Sequence, residues 1–147
     1  MKGSQYISFR RKRNKVSDPS PAALALFNQL KQVFEPYHEY FEITIDTSDE
    51  FEAVTKNEVR VNRGSFRTGA SKISFLLIRL NKEFVKLQFH ALFLDKNMID
   101  TVPPELLTLK THAITFQFKT LDPPLQTQLD TLIRQGIELY KTLKYIR

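Results

Sequence analysis

The chain has 147 residues, with 22 basic against 16 acidic side chains and a net charge of +6 at neutral pH, a length that suits one domain with its own core. Twelve Phe and five Tyr stand against no Trp and no Cys, which excludes disulfides, thiolate nucleophiles and Cys-ligated zinc and suits a reducing, cytoplasmic setting. The first residues lack the apolar stretch of a secretory signal, and Arg79 and Lys82 interrupt the longest apolar run before it reaches membrane-spanning length. A soluble protein with no membrane partner is therefore expected.

The positive charge is unevenly placed. Lys2, Arg10, Arg11, Lys12, Arg13 and Lys15 all precede the first acid, Asp18, and the rest of the chain carries 16 bases against 16 acids. Residues 1–18 show no helical or strand period beyond Tyr6, Ile7 and Phe9, so they are expected to form a flexible basic arm ahead of a single domain at 19–147. Ser20 and Pro21 then supply an N-cap and a first-turn proline, and Ala23, Leu26, Phe27, Leu30, Val33 and Phe34 recur at helical spacing. Pro36 ends that amphipathic helix near Glu35, and any turn through residues 37–41 is a new piece.

Residues 42–47 alternate and are rich in β-branched side chains, which reads as a short strand with a continued helix as the alternative. Ser48 can cap a short helix through Glu52, and residues 54–62 read as a strand. Gly64 and Gly69 bound a turn that leads into two strand-like runs, 73–80 and 84–94, separated by the polar break at 81–83. In the second run Val85, Leu87, Phe89, Ala91 and Phe93 share one face, opposite Lys86, Gln88 and His90. The first run is apolar on both faces and is expected to lie centrally. Two prolines in 95–104 permit a short helix at 105–107, residues 112–119 alternate as a last strand, and Asp122 with Pro123 opens a closing helix whose stripe runs from Leu125 to Leu143. The sum is an α+β fold: an antiparallel β-meander of four to five strands packed by two long helices, one near each terminus.

This order of pieces resembles the YdhG-like group of small bacterial domains, most of which carry no assigned function. The likeness rests on the leading helix ending near Val33 and Phe34, the strand at 54–61, the meander, and the run 111–119 leading through Asp122, Pro123 and Pro124 into a terminal helix. It implies an α+β fold with helices packed on an antiparallel sheet. For some relatives it implies a frataxin-like iron chaperone, and for others a module attached to nucleic-acid-handling or restriction-type proteins. The chain departs from the frataxin-like pattern by its basic arm and by Pro36 within the acidic segment.

Three clusters of residues carry chemistry. Arg10, Arg11, Lys12 and Arg13 can neutralise phosphates, each contact adding about 0.9 to the slope of log affinity against log salt on duplex DNA, with Tyr6 and Phe9 available to stack on bases. The bland alternative is a solvated tail. Lys56, Arg60, Arg63, Arg67 and Lys72 surround the glycine-bounded turn, and alternation on a strand puts Lys56 and Arg60 on one face. That set offers a second polyanion patch, or a solvated sheet face, and the turn lacks the Lys and Ser/Thr ending of a P-loop. Glu35, His38, Glu39 and Glu42 fall at spacings of three and four, which suits a metal site if helix persists across Pro36, and otherwise a solvated acidic end. No nucleophile elbow or glycine-rich cofactor fingerprint is present. The sequence thus points to a non-catalytic binding domain without a cofactor, its partner a nucleic acid or other polyanion, with iron handling or a protein partner, including a second copy, as alternatives.

Overall fold

In a computed structural model, residues 16–60, 62–63, 66–67 and 69–147 are described, with backbone only for 62–63 and 66–67; the expected arm therefore lies, for residues 1–15, outside the described residues. The first helix, α1 (Pro21–Phe34), opens as its sequence dictates, with the Ala23 N–H donating to Ser20 Oγ at 3.0 Å and Pro21 in the first turn. Its buried residues are Ala23, Leu26, Phe27, Leu30, Val33 and Phe34, the anticipated stripe. Pro36 then forces a tighter turn, and residues Glu35–Tyr40 form a 3-10 helix.

The chain next enters β1 (Phe41–Asp46) and β2 (Glu50–Thr55), an antiparallel pair. The helix anticipated at Ser48 is absent there. Thr47 takes over that stretch: its Oγ1 accepts the Glu50 N–H at 3.0 Å while its own N–H donates to the Glu50 carbonyl at 2.8 Å, a side-chain turn that reverses the chain into β2. β2 also stops earlier than expected. Thr55 Oγ1 donates to the Asn57 carbonyl at 2.8 Å and accepts the Ile73 N–H at 3.1 Å, bending the chain at Lys56 and Asn57 instead of continuing straight to Asn62. Two short strands follow, β3 (Asn62–Arg63) and β4 (Phe66–Arg67), and then the long central strand β5 (Ser74–Leu80).

β6 (Val85–Phe89) returns through a tight connection in which the Asn81 N–H donates to the Phe84 carbonyl at 2.8 Å. Alternation through Phe93 predicted a longer strand, but the chain turns helical at α2 (Ala91–Leu94), where Phe93 N–H donates to His90 O at 2.9 Å and Asp95 N–H to Ala91 O at 3.1 Å. Phe93 consequently lies exposed. A 3-10 segment, Lys96–Thr101, leads to the short α3 (Pro104–Leu107). The single strand anticipated at 112–119 is a hairpin, β7 (Lys110–His112) and β8 (Thr115–Phe118), turning at Ala113 and Ile114. Asp122 caps α4 (Pro123–Thr142) by accepting the Leu125 N–H at 2.9 Å.

The architecture is α+β, with a six-stranded antiparallel sheet in the order β1-β2-β5-β6-β8-β7 rather than four or five strands; the extra pairing comes from the β7–β8 hairpin. β5 is central, as its two-faced apolarity implies. Register makes one row of directly opposed residues from Phe51, Ile78, Leu87 and Phe116, none of them exposed. Burying each such side chain contributes roughly 1.5–3 kcal/mol, so this row outweighs any single polar contact. The neighbouring row, Glu50, Arg79, Lys86 and Gln117, is polar, with Arg79 Nε 2.8 Å from Glu50 Oε2.

Aromatic rings join the helices to the sheet. Phe34 of α1 meets Phe51 and Phe75, each at 5.9 Å between centroids, and Tyr140 of α4 meets Phe75 edge-on at 5.0 Å. The Tyr140 hydroxyl donates to the Ser74 carbonyl at 2.6 Å, satisfying a buried polar group at the bulge where β2 and β5 shift register. α4 approaches the sheet closely at Gly136, where a Cβ would lie 2.4 Å from the Phe89 ring.

Candidate functional site

The pairing of β2 with β5 does not end with the sheet. Beyond Thr55, whose N–H donates to the Ile73 carbonyl at 2.9 Å, Val59 and Ser71 form an isolated antiparallel bridge with bonds of 2.8 and 2.9 Å. Asn62 then pairs with Arg67 and Arg63 with Phe66. Taken together the three pairings make an antiparallel two-stranded ribbon, its far part, β3 and β4, a sheet separate from the six-stranded one.

Lys56, Arg60, Arg63, Arg67 and Lys72 all lie along this ribbon, but the bend after Thr55 interrupts the regular strand on which alternation put Lys56 and Arg60 on one face. Lys56 is exposed in the bend that Thr55 imposes, and Arg60 is exposed just past the Val59 bridge. Among the described residues neither forms an ion pair. Lys72 differs, because its Nζ lies 2.6 Å from Glu42 Oε1 and its charge is already answered. Arg63 and Arg67 are placed by backbone alone. Arg10, Arg11, Lys12 and Arg13 lie outside the described residues.

A cleft of about 340 Å³ opens at the root of the ribbon, lined by Glu39, Tyr40, Lys56, Asn57, Tyr145, Ile146 and Arg147. The 3-10 helix positions Glu39 and Tyr40, the bend after β2 positions Lys56 and Asn57, and the chain after α4 positions the rest. Lys144, in the left-handed region at φ 64°, ends α4 and turns the chain so that the Tyr145 N–H donates to the Tyr140 carbonyl at 2.8 Å. Both phenol rings are held from outside the cleft: Tyr145 packs edge-on against Tyr140 at 5.7 Å, and the Lys141 ammonium sits 4.7 Å from the Tyr40 centroid. Sequence reading picked out Lys56 and Glu39 for different chemistries and passed over Tyr40, Tyr145 and Arg147. The available signal was aromatic residues flanked by bases, Lys141, Lys144 and Arg147 around Tyr145.

Glu35, His38, Glu39 and Glu42 are not brought together. Glu35 and Glu39 are exposed on the 3-10 helix, Glu42 is in extended β1 and paired with Lys72, and the His38 ring packs between Phe34 at 5.4 Å and Phe51 at 5.7 Å. Pro36 explains the dispersal, since the helical spacing that would align them stops there. Among the described residues no group of three or more His, Cys, Asp or Glu is placed to hold a metal ion. His38 instead serves packing, although its buried Nε2 has no hydrogen-bond partner among the described residues.

Beside the cleft's wall, Tyr37 has a displaced titration. The Tyr37 hydroxyl donates to Asp130 Oδ1 at 2.6 Å, and burial, then that bond to a carboxylate, push its pKa up to about 12. The contact ties the 3-10 helix to α4 and so helps to fix the wall that carries Tyr40.

No family model matches the chain, and neither a curated protein nor a solved structure does. The resemblance drawn above therefore rests on the quoted residues alone. No described helix is long and apolar enough to cross a membrane.

Proposed function

We propose that this protein is a non-catalytic binding domain for nucleic acid, with the ribbon as its reading element and Arg10, Arg11, Lys12 and Arg13 as additional phosphate contacts. The observation that carries this reading is the continuation of the β2–β5 pairing through Val59 and Ser71 into β3 and β4, which strings Lys56, Arg60, Arg63 and Arg67 along two paired strands. A two-stranded ribbon is one of the two protein shapes that the major groove of B-form DNA admits, the groove being about 12 Å wide. Cations on such a ribbon meet phosphates on the groove walls. Lys56 and Arg60 are exposed and, among the described residues, committed to no carboxylate, so their charge is available without breaking an existing pair.

Fluorescence anisotropy with labelled duplex and single-stranded oligonucleotides across a salt series tests the reading. Arg60→Ala, Arg63→Ala and Arg67→Ala should each flatten the slope of log affinity against log salt by about 0.9. Lys72→Ala should change it much less, because Glu42 already neutralises that charge. If deletion of residues 1–15 abolishes binding while the ribbon variants leave the slope untouched, the ribbon is not the reader.

A further inference from the structure

We infer that the cleft at the root of the ribbon is a nucleotide-binding site, taking one phosphate-bearing base. The inference stands on the cleft's own chemistry and does not require the ribbon to bind nucleic acid.

A volume of about 340 Å³ lies at the small end of ligand sites, suited to one nucleotide rather than a dinucleotide cofactor. The lining separates into two kinds of partner. Lys56 and Arg147 supply positive charge, and among the described residues neither is in an ion pair, so an anion entering here displaces no carboxylate. Tyr40 and Tyr145 supply aromatic surface on rings already fixed by Lys141 and Tyr140, which lowers the ordering cost of stacking a base. Asn57 and Glu39 add an amide and a carboxylate, the groups that pair with the donor and acceptor edge of a base. A metal cation fits poorly, since Glu39 is the one carboxylate side chain in the lining and two cationic side chains share that lining.

A second cleft of similar size among the described residues makes the contrast. It measures about 360 Å³ and is lined by Pro104, Glu105, Thr108, Asp122 and Leu125. Its carboxylates are engaged, Glu105 with the Gln128 amide at 2.7 Å and Asp122 in capping α4, and it offers no cation. The cleft beside the ribbon, by contrast, combines uncommitted positive charge with aromatic surface.

The test uses the full chain, with adenosine monophosphate, adenosine and inorganic phosphate as probes, followed by calorimetry and by amide chemical shifts. Adenosine monophosphate should saturate a single site with shifts gathered at Tyr40, Asn57 and Tyr145, while adenosine and phosphate alone bind at least tenfold more weakly. Lys56→Gln and Arg147→Gln, both at exposed positions that leave the fold intact, should each weaken the monophosphate about tenfold and change adenosine little. Absence of saturable monophosphate binding, shifts gathered elsewhere, or variants that bind as the parent does would overturn the inference, whatever the duplex experiment shows. Monophosphate binding that persists when duplex binding is absent supports the cleft and removes the ribbon reading instead. Displacement of a single-stranded oligonucleotide by the monophosphate identifies a nucleotide within a strand as the ligand; saturation without displacement identifies a free nucleotide.

Discussion

Replacing Gly136 by alanine sets two opposed effects against each other, and the structure decides between them. In an open helix the change would stabilise by about 1 kcal/mol, because alanine is the better helix former. Here the new Cβ would stand 2.4 Å from Phe89 Cζ and 3.1 Å from Phe75 Cε1, and something must shift. Neither ring is free to swing away: both are fully buried, and they pack edge-on against each other at 5.3 Å, with Tyr140 on Phe75 as well. Overpacking of this kind costs about 1–3 kcal/mol, and the tight fit puts Gly136 in the upper part of that range. Gly136→Ala should therefore lose about 1–2 kcal/mol net, or roughly 3–6 °C in Tm for a chain of this size. Urea denaturation and a thermal melt measure both quantities. Phe89→Leu should be costly in the parent but cheaper in the alanine background, so a double-mutant cycle should show favourable coupling. A Gly136→Ala protein as stable as the parent, or a cycle that adds without coupling, would refute the close approach of α4 to the sheet.

Two further outcomes follow from the polar contacts. Tyr37 has a folded pKa above its unfolded value, so the folded state holds a proton that the unfolded state releases. Its contribution to stability is complete below about pH 10 and is lost as pH rises toward about 12. Tyr37→Phe should remove that alkaline loss in a stability-against-pH series, cost about 1 kcal/mol at neutral pH, and eliminate a tyrosinate transition near pH 12 in an absorbance titration. Thr55→Val keeps the shape of the side chain but removes its bonds to Ile73 N–H and Asn57 O, and should cost about 1–3 kcal/mol in urea denaturation. The amide shifts of Lys56 and Asn57 should move with it; a variant with unchanged shifts there would mean that the hydroxyl does not set the bend.

Period and proline made much of the scaffold legible in the sequence. The buried stripe of α1 and its end at Pro36 were readable residue by residue, and the central place of β5 followed from apolar residues on both faces. Hydroxyl side chains defeated the pattern elsewhere. Thr47 and Thr55 each redirect the backbone through bonds to groups two or three residues away, and alternation carries no record of such bonds. The β7–β8 turn at Ala113 and Ile114 has neither glycine nor proline to announce it. For the site, the grouping of Lys56 to Lys72 could not show that Glu42, 30 residues from Lys72, claims one of its charges. The cleft was invisible for the same reason, since contacts between distant segments decide which groups face one another.

Those distances in the chain also govern when the cleft exists. Its walls come from the 3-10 helix, from the bend after β2 and from the turn that follows α4, so a folding intermediate lacking the last helix has no cleft to offer. An occupant of the cleft is therefore an occupant of the finished fold alone. By mass action it should raise global stability by about 2.7 kcal/mol at a hundredfold excess over its Kd. The melting temperature of the whole chain thus becomes a sensor for the ligand, and libraries of small anions can be screened by heat alone before their identity is known.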